Sequence, residues 1–113
     1  MLNHMVEQSD TLDAVFRSLA DPTRRAMLRM LSVGERSVGQ LAAPFDMSFA
    51  GASKHVKVLE DAGLVRRTRR GRVHSCELVP VRLAEADAWL AYYSQFWNAR
   101  LDDLEGILRN EQH

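Results

Sequence analysis

The stretch SVGQLAAPFDMSFAGASKHVKVLEDAG, residues 37–63, decides the fold of this 113-residue chain. Ser37 and Ser48 each precede a segment with helical periodicity, and a serine at such a position can accept a hydrogen bond from a backbone N–H of the first turn. The first helix is expected over residues 38–43 and the second over residues 49–62. Two capped helices joined by about four residues predict a helix-turn-helix motif.

The segment after this motif, about residues 64–78, has the pattern of a basic β-hairpin. Short β-prone runs flank Arg70-Gly71, a dipeptide that favours a turn. A hairpin that directly follows a helix-turn-helix is a wing. Five arginines within seven positions repel one another, so a DNA backbone or minor groove is the expected neighbour, and a solvated surface is the alternative. These arginines are Arg66, Arg67, Arg69, Arg70 and Arg72.

Helical patterns flank the motif and the hairpin on both sides. Terminal helices are expected over about residues 10–20 and 81–108, and Asp21-Pro22 stops the first helix and starts the next one. With the helix-turn-helix at about residues 38–62, the predicted order is α-α-(short β)-α-α-β-β-α. The fold class is therefore mainly α with a small β-hairpin, a winged helix-turn-helix, and residues 1–113 fit a single domain.

The charge of the chain is distributed unevenly. Lysines and arginines balance aspartates and glutamates at 15 each, so the formal net charge is zero. Residues 49–76 nevertheless contain seven basic against two acidic residues, a net charge of +5, whereas the rest contains eight basic against thirteen acidic residues, a net charge of −5. Such asymmetry is typical of a local phosphate-binding surface on an acidic body.

The helix expected over residues 49–62 has one apolar side and one small, basic side. Val56 and Leu59 share a side with Ala52 and form the predicted buried stripe. The opposite side is slim enough to enter a major groove, where lysines can reach base edges or phosphates, and Ser48 with the free N–H groups of the first turn can hold a phosphate. An ordinary solvated helix face would show the same pattern. The opposite side consists of Ala50, Lys54 and Lys57, with Ser53 at its flank.

Three stretches resemble the ArsR-type family of bacterial winged-helix repressors: LADPTRRAMLRML, VGQLAAPFDMSFAGASKHVKVLEDAGLVRRTRRGR and the Trp/Phe-rich final helix. The resemblance covers about residues 12–108. It implies a homodimer that binds a palindromic operator on double-stranded DNA and leaves it when an effector binds. By position, it implies DNA contacts at the wing tip, residues 70–72, and on the helix expected over residues 49–62, which is the recognition helix of the family. The helical wheel puts His55 on the flank of this helix. The complete set of predicted DNA contacts is Ser48, Ala50, Ser53, Lys54, His55, Lys57, Arg67, Arg69, Arg70 and Arg72.

The chain departs from the metal-sensing members of the family. Their cysteine pair lies in a CVC-like motif on the third helix, where this sequence has Ala42 and Pro44, and neither residue can ligate a metal. Other members use histidines with acidic residues on the last helix, near which this chain has only His113. Soft and borderline metals need Cys or His ligands, so no metal site and no cofactor are predicted. The sequence does not identify a small-molecule effector.

The terminal helices carry more apolar surface than a monomer of this size can cover. A second copy of the chain would cover it, and the two tryptophans are typical of interface anchors. Packing of these residues on their own core is the alternative. The predicted dimer interface comprises Leu12, Val15, Phe16, Leu19, Trp89, Leu90, Tyr93, Phe96, Trp97, Leu101 and Leu104.

The function predicted from these patterns is sequence-specific DNA binding by a dimeric (auto)repressor, either constitutive or released by a non-metal signal. Two alternatives stay open: a winged-helix protein-interaction module, and a thiol-based redox sensor that uses Cys76, which shares a strand face with His74. No enzyme is predicted, because Ser48 and His55 have no acid to orient them. Without a visible signal peptide or an apolar stretch of about 20 residues, a cytoplasmic protein with no membrane partner is expected.

Overall fold

The computed structural model describes the backbone of residues 2–111 and the side chains of residues 10–109. Its elements follow the predicted order. The predicted short strand is two residues long and joins the hairpin in a three-stranded sheet. The helices and strands are α1 (Leu2–Leu19), α2 (Pro22–Val33), β1 (Arg36–Ser37), α3 (Val38–Ala42, followed by a 3₁₀ turn at Ala43–Phe45), α4 (Phe49–Asp61), β2 (Val65–Arg70), β3 (Val73–Leu78) and α5 (Val81–Glu111). The predicted fold class, mainly α with a winged helix-turn-helix, is confirmed.

The predicted helix caps are present in the structure. The Asp21 carboxylate accepts a hydrogen bond from the Arg24 backbone N–H at 2.9 Å, and Pro22 occupies the first position of α2. Ser37 forms a reciprocal capping box with Gln40 at the start of α3. These caps satisfy N–H groups that a helix start otherwise leaves without partners. The boundaries between α1, α2 and α3 therefore follow from local hydrogen bonding.

Both terminal helices are longer than the sequence analysis predicted. The first helix extends back to Leu2 rather than about residue 10, and the last extends to Glu111 rather than about residue 108. Residues 2–19 contain neither Pro nor Gly, so no backbone signal stops α1. Near the end of α5, Arg109 donates to Glu105 at 2.6 Å, an i,i+4 ion pair of the kind that supports a helix.

The sheet is antiparallel, with the order β1-β3-β2. β2 and β3 form the predicted hairpin, and its register places Arg66 opposite Glu77 and Arg67 opposite Cys76. Gly71 has a φ of 63° in the turn, a left-handed conformation that glycine adopts without strain. The wing is therefore a two-stranded ribbon, and β1 pairs with Ser75 and Cys76 in the middle of β3.

The core lies between α2, α3, α4 and the inner face of the sheet. Ala52, Val56 and Leu59 are completely buried there, which confirms the apolar stripe predicted for α4. Val15 was predicted in the dimer interface, but it is only 1% exposed and packs in the core of its own protomer. A helical wheel cannot separate these two fates, because a core and an interface both require an apolar side chain. None of the described helices is long and apolar enough to cross a membrane.

Candidate nucleic-acid interface

The start of α4 follows the predicted geometry. The Ser48 hydroxyl accepts a hydrogen bond from the Gly51 backbone N–H at 3.1 Å and caps the helix. Ser48 and Ala50 are both exposed, with small side chains that leave the first turn accessible. An accessible helix start presents backbone N–H groups and the positive end of the helix dipole, a combination that suits a phosphate.

The outward side of α4 carries two lysines with different surroundings. Lys57 forms an i,i+4 ion pair with Asp61, whose Oδ1 lies 3.3 Å from the lysine Nζ. Lys54 is exposed and forms no hydrogen bond or ion pair with any described residue. Because an exposed i,i+4 pair is weak, both ammonium groups are available to an incoming anion, and Lys54 has no competing carboxylate.

His55 packs against α2 instead of pointing away from the protein. Its Nδ1 lies 3.4 Å from Nη1 of Arg24 and 4.0 Å from the Asp21 carboxylate. Arg24 in turn donates to the Ser18 backbone carbonyl at 2.7 Å and to the Arg17 carbonyl at 3.2 Å, so it binds the end of α1. This arrangement matches the flanking position that the helical wheel gives His55, and it connects α4 to the α1–α2 junction.

Two predicted DNA contacts are bonded to each other. Nη1 of Arg67 on β2 donates to the Ser53 hydroxyl at 3.0 Å, and Nη2 donates to the Ser53 backbone carbonyl at 2.9 Å. Both residues are partly buried. The guanidinium of Arg67 is thus engaged inside the protein, where it joins the wing to the recognition helix.

The other wing arginines divide between the base and the tip of the hairpin. Near the base, Arg66 donates to Glu77 across the strands at 3.0 Å. At the tip, Arg69 donates to the Gly71 carbonyl at 3.0 Å and stays exposed. Arg70 and Arg72 are exposed and have no hydrogen-bond or ion-pair partner among residues 10–109. The free positive charge of the wing is therefore concentrated at the turn.

Phe49 was not among the predicted site residues, although it lies beside them. It is the first residue of α4, it is 53% exposed, and its ring packs edge-on against His74 at a centroid distance of 5.7 Å. The helical wheel puts Phe49 at the edge of the buried stripe, next to Val56, so no signal in the sequence indicated that its ring would be exposed. The first turn of α4 thus presents an apolar ring next to its Ser48 cap.

A helix-turn-helix domain family matches residues 19–68. The HTH-type transcriptional regulator Rv2034 of Mycobacterium tuberculosis is 33% identical over 99 residues, which cover 88% of this chain and 90% of that protein. A crystal structure of an ArsR family transcriptional regulator is 41% identical, covers 80% of this chain and 93% of its own, and superposes with a TM-score of 0.74. This chain belongs to the ArsR family.

Another relative of this ArsR-family chain is the arsenical resistance operon repressor of Escherichia coli, 30% identical over 98 residues that cover 85% of this chain and 80% of that protein. These relatives are transcriptional regulators and not enzymes. The resemblance seen in the sequence is thereby confirmed. The winged helix-turn-helix of this chain carries the DNA-binding architecture of its family.

The residues available for metal binding differ from those of the metal-sensing members. Ala42 is buried and Pro44 is exposed in the 3₁₀ turn after α3, and both lack a donor atom. Across the described part of the chain, no three His, Cys, Asp or Glu side chains cluster in a way that could hold a metal ion. His113 lies outside the described residues.

The cysteine is enclosed by the protein. Cys76 is 0% exposed, and desolvation by burial raises the pKa of its thiol above the ordinary 9.0, against the opposing charge of Arg67. A reactive thiol needs an accessible, electropositive setting that favours the thiolate. The surroundings of Cys76 are instead those of a small core residue, and they do not favour the redox-sensing alternative.

α5 presents a long apolar face that the rest of the protein leaves exposed. At its N-terminal half Trp89 packs edge-on against Phe16 of α1, with ring centroids 5.6 Å apart, and against Tyr93 at 4.9 Å. Leu12, Phe16 and Leu19 of α1 are half-buried next to the core. From Trp89 onward, ten large apolar residues of α5 remain between 39% and 64% exposed: Trp89, Leu90, Tyr92, Tyr93, Phe96, Trp97, Leu101, Leu104, Ile107 and Leu108.

Proposed function

We propose that this protein is a homodimeric transcriptional repressor that binds a palindromic operator on double-stranded DNA through α4 and the wing. One observation carries the proposal. Lys54 on α4 and the pair Arg70 and Arg72 at the wing tip are exposed cations without partners among the described residues, and a direct bond between Arg67 and Ser53 joins the two elements that carry them. Two basic elements in fixed relation fit adjacent grooves of one duplex.

Of the ten DNA contacts predicted from the sequence, seven are proposed as contacts and three as residues that support them. Ser48 and Ala50 lie at the accessible start of α4, and Lys54 and Lys57 lie on its outward side. Arg69, Arg70 and Arg72 extend from the wing tip toward the backbone or the minor groove. Ser53, His55 and Arg67 support these contacts from within the protein.

The dimer rests on the exposed face of α5. A soluble monomer rarely leaves ten large apolar residues uncovered along one helix, and the same face on a second copy would cover them. Two recognition helices held by such a dimer would read two half-sites about one helical turn apart, and the twofold symmetry of the dimer would make the operator palindromic. Repression is the function given in the names of the Bacillus subtilis repressor SdpR, 29% identical over 79 residues, and of the Escherichia coli repressor.

The signal that releases the operator is proposed to be something other than a metal. Ala42 and Pro44, at the positions of the metal-binding cysteines in other members, have no ligand atoms. No three His, Cys, Asp or Glu residues cluster among the described residues in a way that could hold a metal ion. The protein is therefore either constitutive or released by a non-metal effector. Such an effector would act across the α5 interface, where a small rotation of one subunit changes the spacing of both recognition helices.

Fluorescence anisotropy with the purified protein tests the proposal. The DNA is the region upstream of its own gene, with a scrambled duplex of equal length and composition as the control, across a salt series. We expect nanomolar binding that prefers the upstream DNA and weakens steeply with salt, at a slope of about −0.9 per neutralised phosphate. Equal, weak binding to both duplexes would contradict the proposal and favour a protein-interaction module.

A further inference from the structure

Arg67 differs from the other arginines of the wing in what its guanidinium binds. It donates to both the side chain and the backbone carbonyl of Ser53, at 3.0 and 2.9 Å, across 14 positions of sequence. Arg66, Arg69 and their neighbours at the turn are exposed, whereas Arg67 is partly buried between β2 and α4. This forked contact is the one that arginine makes best, because its donors lie in a rigid plane.

The surroundings of Arg67 on β2 and of Ser53 on α4 both hold this contact in place. The partner of Arg67 in the strand register is Cys76, which is completely buried, so the stem of Arg67 starts from the core side of the wing. On the other side, a backbone carbonyl has two lone pairs and can accept the guanidinium in addition to a bond within the helix. Nε of Arg67 is itself buried and has no hydrogen-bond partner. Turning this side chain outward would expose Nε to water but would break the two hydrogen bonds to Ser53.

The position of the contact gives it a mechanical consequence. β2 follows α4 directly in the chain, after a short turn around Gly63. Each of the two elements is proposed to contact a different part of the DNA. A wing that moves relative to α4 loses entropy when both elements bind at once, and a wing held in place beforehand does not. The contact between Arg67 and Ser53 links the middle of α4 to the middle of β2.

We propose that Arg67 is a positioning residue for DNA recognition, which fixes the angle between the wing and the recognition helix through its forked bond to Ser53 and makes no phosphate contact of its own. This inference rests on the proposed function. It assigns Arg67 and Ser53, both predicted from the sequence as DNA contacts, to an internal clamp, and it leaves the phosphate contacts of the wing to the arginines at the tip.

Two substitutions distinguish a clamp from a phosphate contact. Arg67→Lys keeps the positive charge but cannot make the forked bond, whereas Arg70→Ala removes a charge at the tip and leaves the clamp intact. For a clamp, Arg67→Lys lowers operator affinity by about tenfold, lowers scrambled-DNA affinity less, and leaves the slope of log affinity against log salt unchanged. Arg70→Ala reduces the magnitude of that slope by about 1.8, the value of two phosphates, because each subunit of the dimer carries one Arg70.

Hydrogen exchange on the free protein gives a readout that needs no DNA. Loss of the clamp should speed exchange of backbone amides in β2 and β3 relative to α2, because the wing opens more often without it. Ser53→Ala removes the hydroxyl bond and keeps the carbonyl bond, so its effects on exchange and operator affinity should be smaller than those of Arg67→Lys. Circular dichroism of each variant is the control for folding.

The outcomes separate the clamp from the proposed function. If the wild-type protein does not prefer its operator, the proposed function fails, and the clamp is decided by hydrogen exchange alone. If Arg67→Lys binds the operator as tightly as the wild type, or if its wing exchanges no faster, the clamp is contradicted. A loss of about 1.8 in the salt slope for Arg67→Ala, the value of one phosphate for each subunit, with full affinity retained by Arg67→Lys, would show Arg67 to be a phosphate contact.

Discussion

Nδ1 of His55 lies 3.4 Å from Nη1 of Arg24, although the two residues are 31 positions apart. The same guanidinium binds the Ser18 carbonyl at the end of α1, so a single arginine connects three helices at one point. This relationship gives the basic stretch Asp21-Pro-Thr-Arg-Arg25 a structural role, the support of the recognition helix from behind.

Alanine substitutions of the neighbouring residues Lys54 and His55 should therefore have different effects, the first on DNA binding and the second on stability. Lys54→Ala removes an exposed cation from each subunit of the dimer, so we expect weaker operator binding, a salt slope smaller by about 1.8 and little change in thermal stability. His55→Ala removes a half-buried packing contact and should lower stability by about 1 kcal/mol. Thermal denaturation and anisotropy on the two variants measure both effects. A large loss of affinity with unchanged stability for His55→Ala would instead make His55 a direct DNA contact.

The cap of α2 should make the stability of the protein depend on pH in acid. The hydrogen bond from the Arg24 backbone N–H holds the pKa of Asp21 below its ordinary value of 3.8. Because the folded pKa is lower than the unfolded one, the carboxylate stabilises the fold above the ordinary value, and this contribution is lost as the pH falls through the folded value.

Asp21→Asn keeps a capping oxygen and removes the titration. It should leave stability near neutral pH almost unchanged and weaken the loss of stability below pH 3.8. Asp21→Ala should cost about 1 kcal/mol at neutral pH, the usual value of a helix cap. Chemical denaturation at several pH values measures both variants. An unchanged acid dependence in Asp21→Asn would show that this carboxylate does not contribute to it.

The exposed face of α5 should be required for dimerisation. Leu101→Glu introduces a charge at a residue that is 58% exposed in the protomer, so it should not disturb the core but should prevent two α5 faces from packing together. Val33→Glu is the matched control, because Val33 is 79% exposed and lies on α2. Analytical ultracentrifugation should find Leu101→Glu monomeric and Val33→Glu dimeric. A monomeric wild-type protein, or a dimer that persists in Leu101→Glu, would contradict the proposed interface.

Metals should not control operator binding. Ala42 and Pro44 offer no donor atoms, and the described residues contain no cluster of three ligands. Zinc, copper(I) or arsenite added in slight excess should therefore leave the anisotropy titration unchanged, and EDTA should have no effect on the purified protein. A metal that releases the DNA at stoichiometric concentration would show that ligands come together elsewhere, for example between subunits.

The thiol of Cys76 should react slowly in the folded protein. It is completely buried and its pKa is raised by desolvation, so little thiolate is present and no reagent reaches it. A thiol-specific chromogenic reagent should modify it at the rate of unfolding, and Cys76→Ser should bind the operator equally in oxidant and in reductant. Fast modification of the native protein, or operator affinity that depends on oxidant only when Cys76 is present, would restore the redox-sensing alternative.

The sequence predicted the fold because its deciding signals are local. The caps at Asp21, Ser37 and Ser48 and the glycine in the wing turn act within a few residues of themselves, and hydrophobic periodicity marks the buried side of α4. The charge asymmetry also requires no three-dimensional information. These signals were sufficient for the element order, for the winged class and for the basic face.

The tertiary structure decided which of the predicted residues face outward. Arg67 and Arg70 have the same chemistry in the sequence, yet one binds Ser53 and the other has no described partner. Val15 and Leu101 are both apolar helix residues, yet one lies in the core and the other is exposed. The sequence determined where the helices, the wing and the positive charge lie, because those follow from contacts within a few residues. Only the fold decided which side chains bind each other and which remain free for DNA or a second subunit, because those partners come from distant parts of the chain.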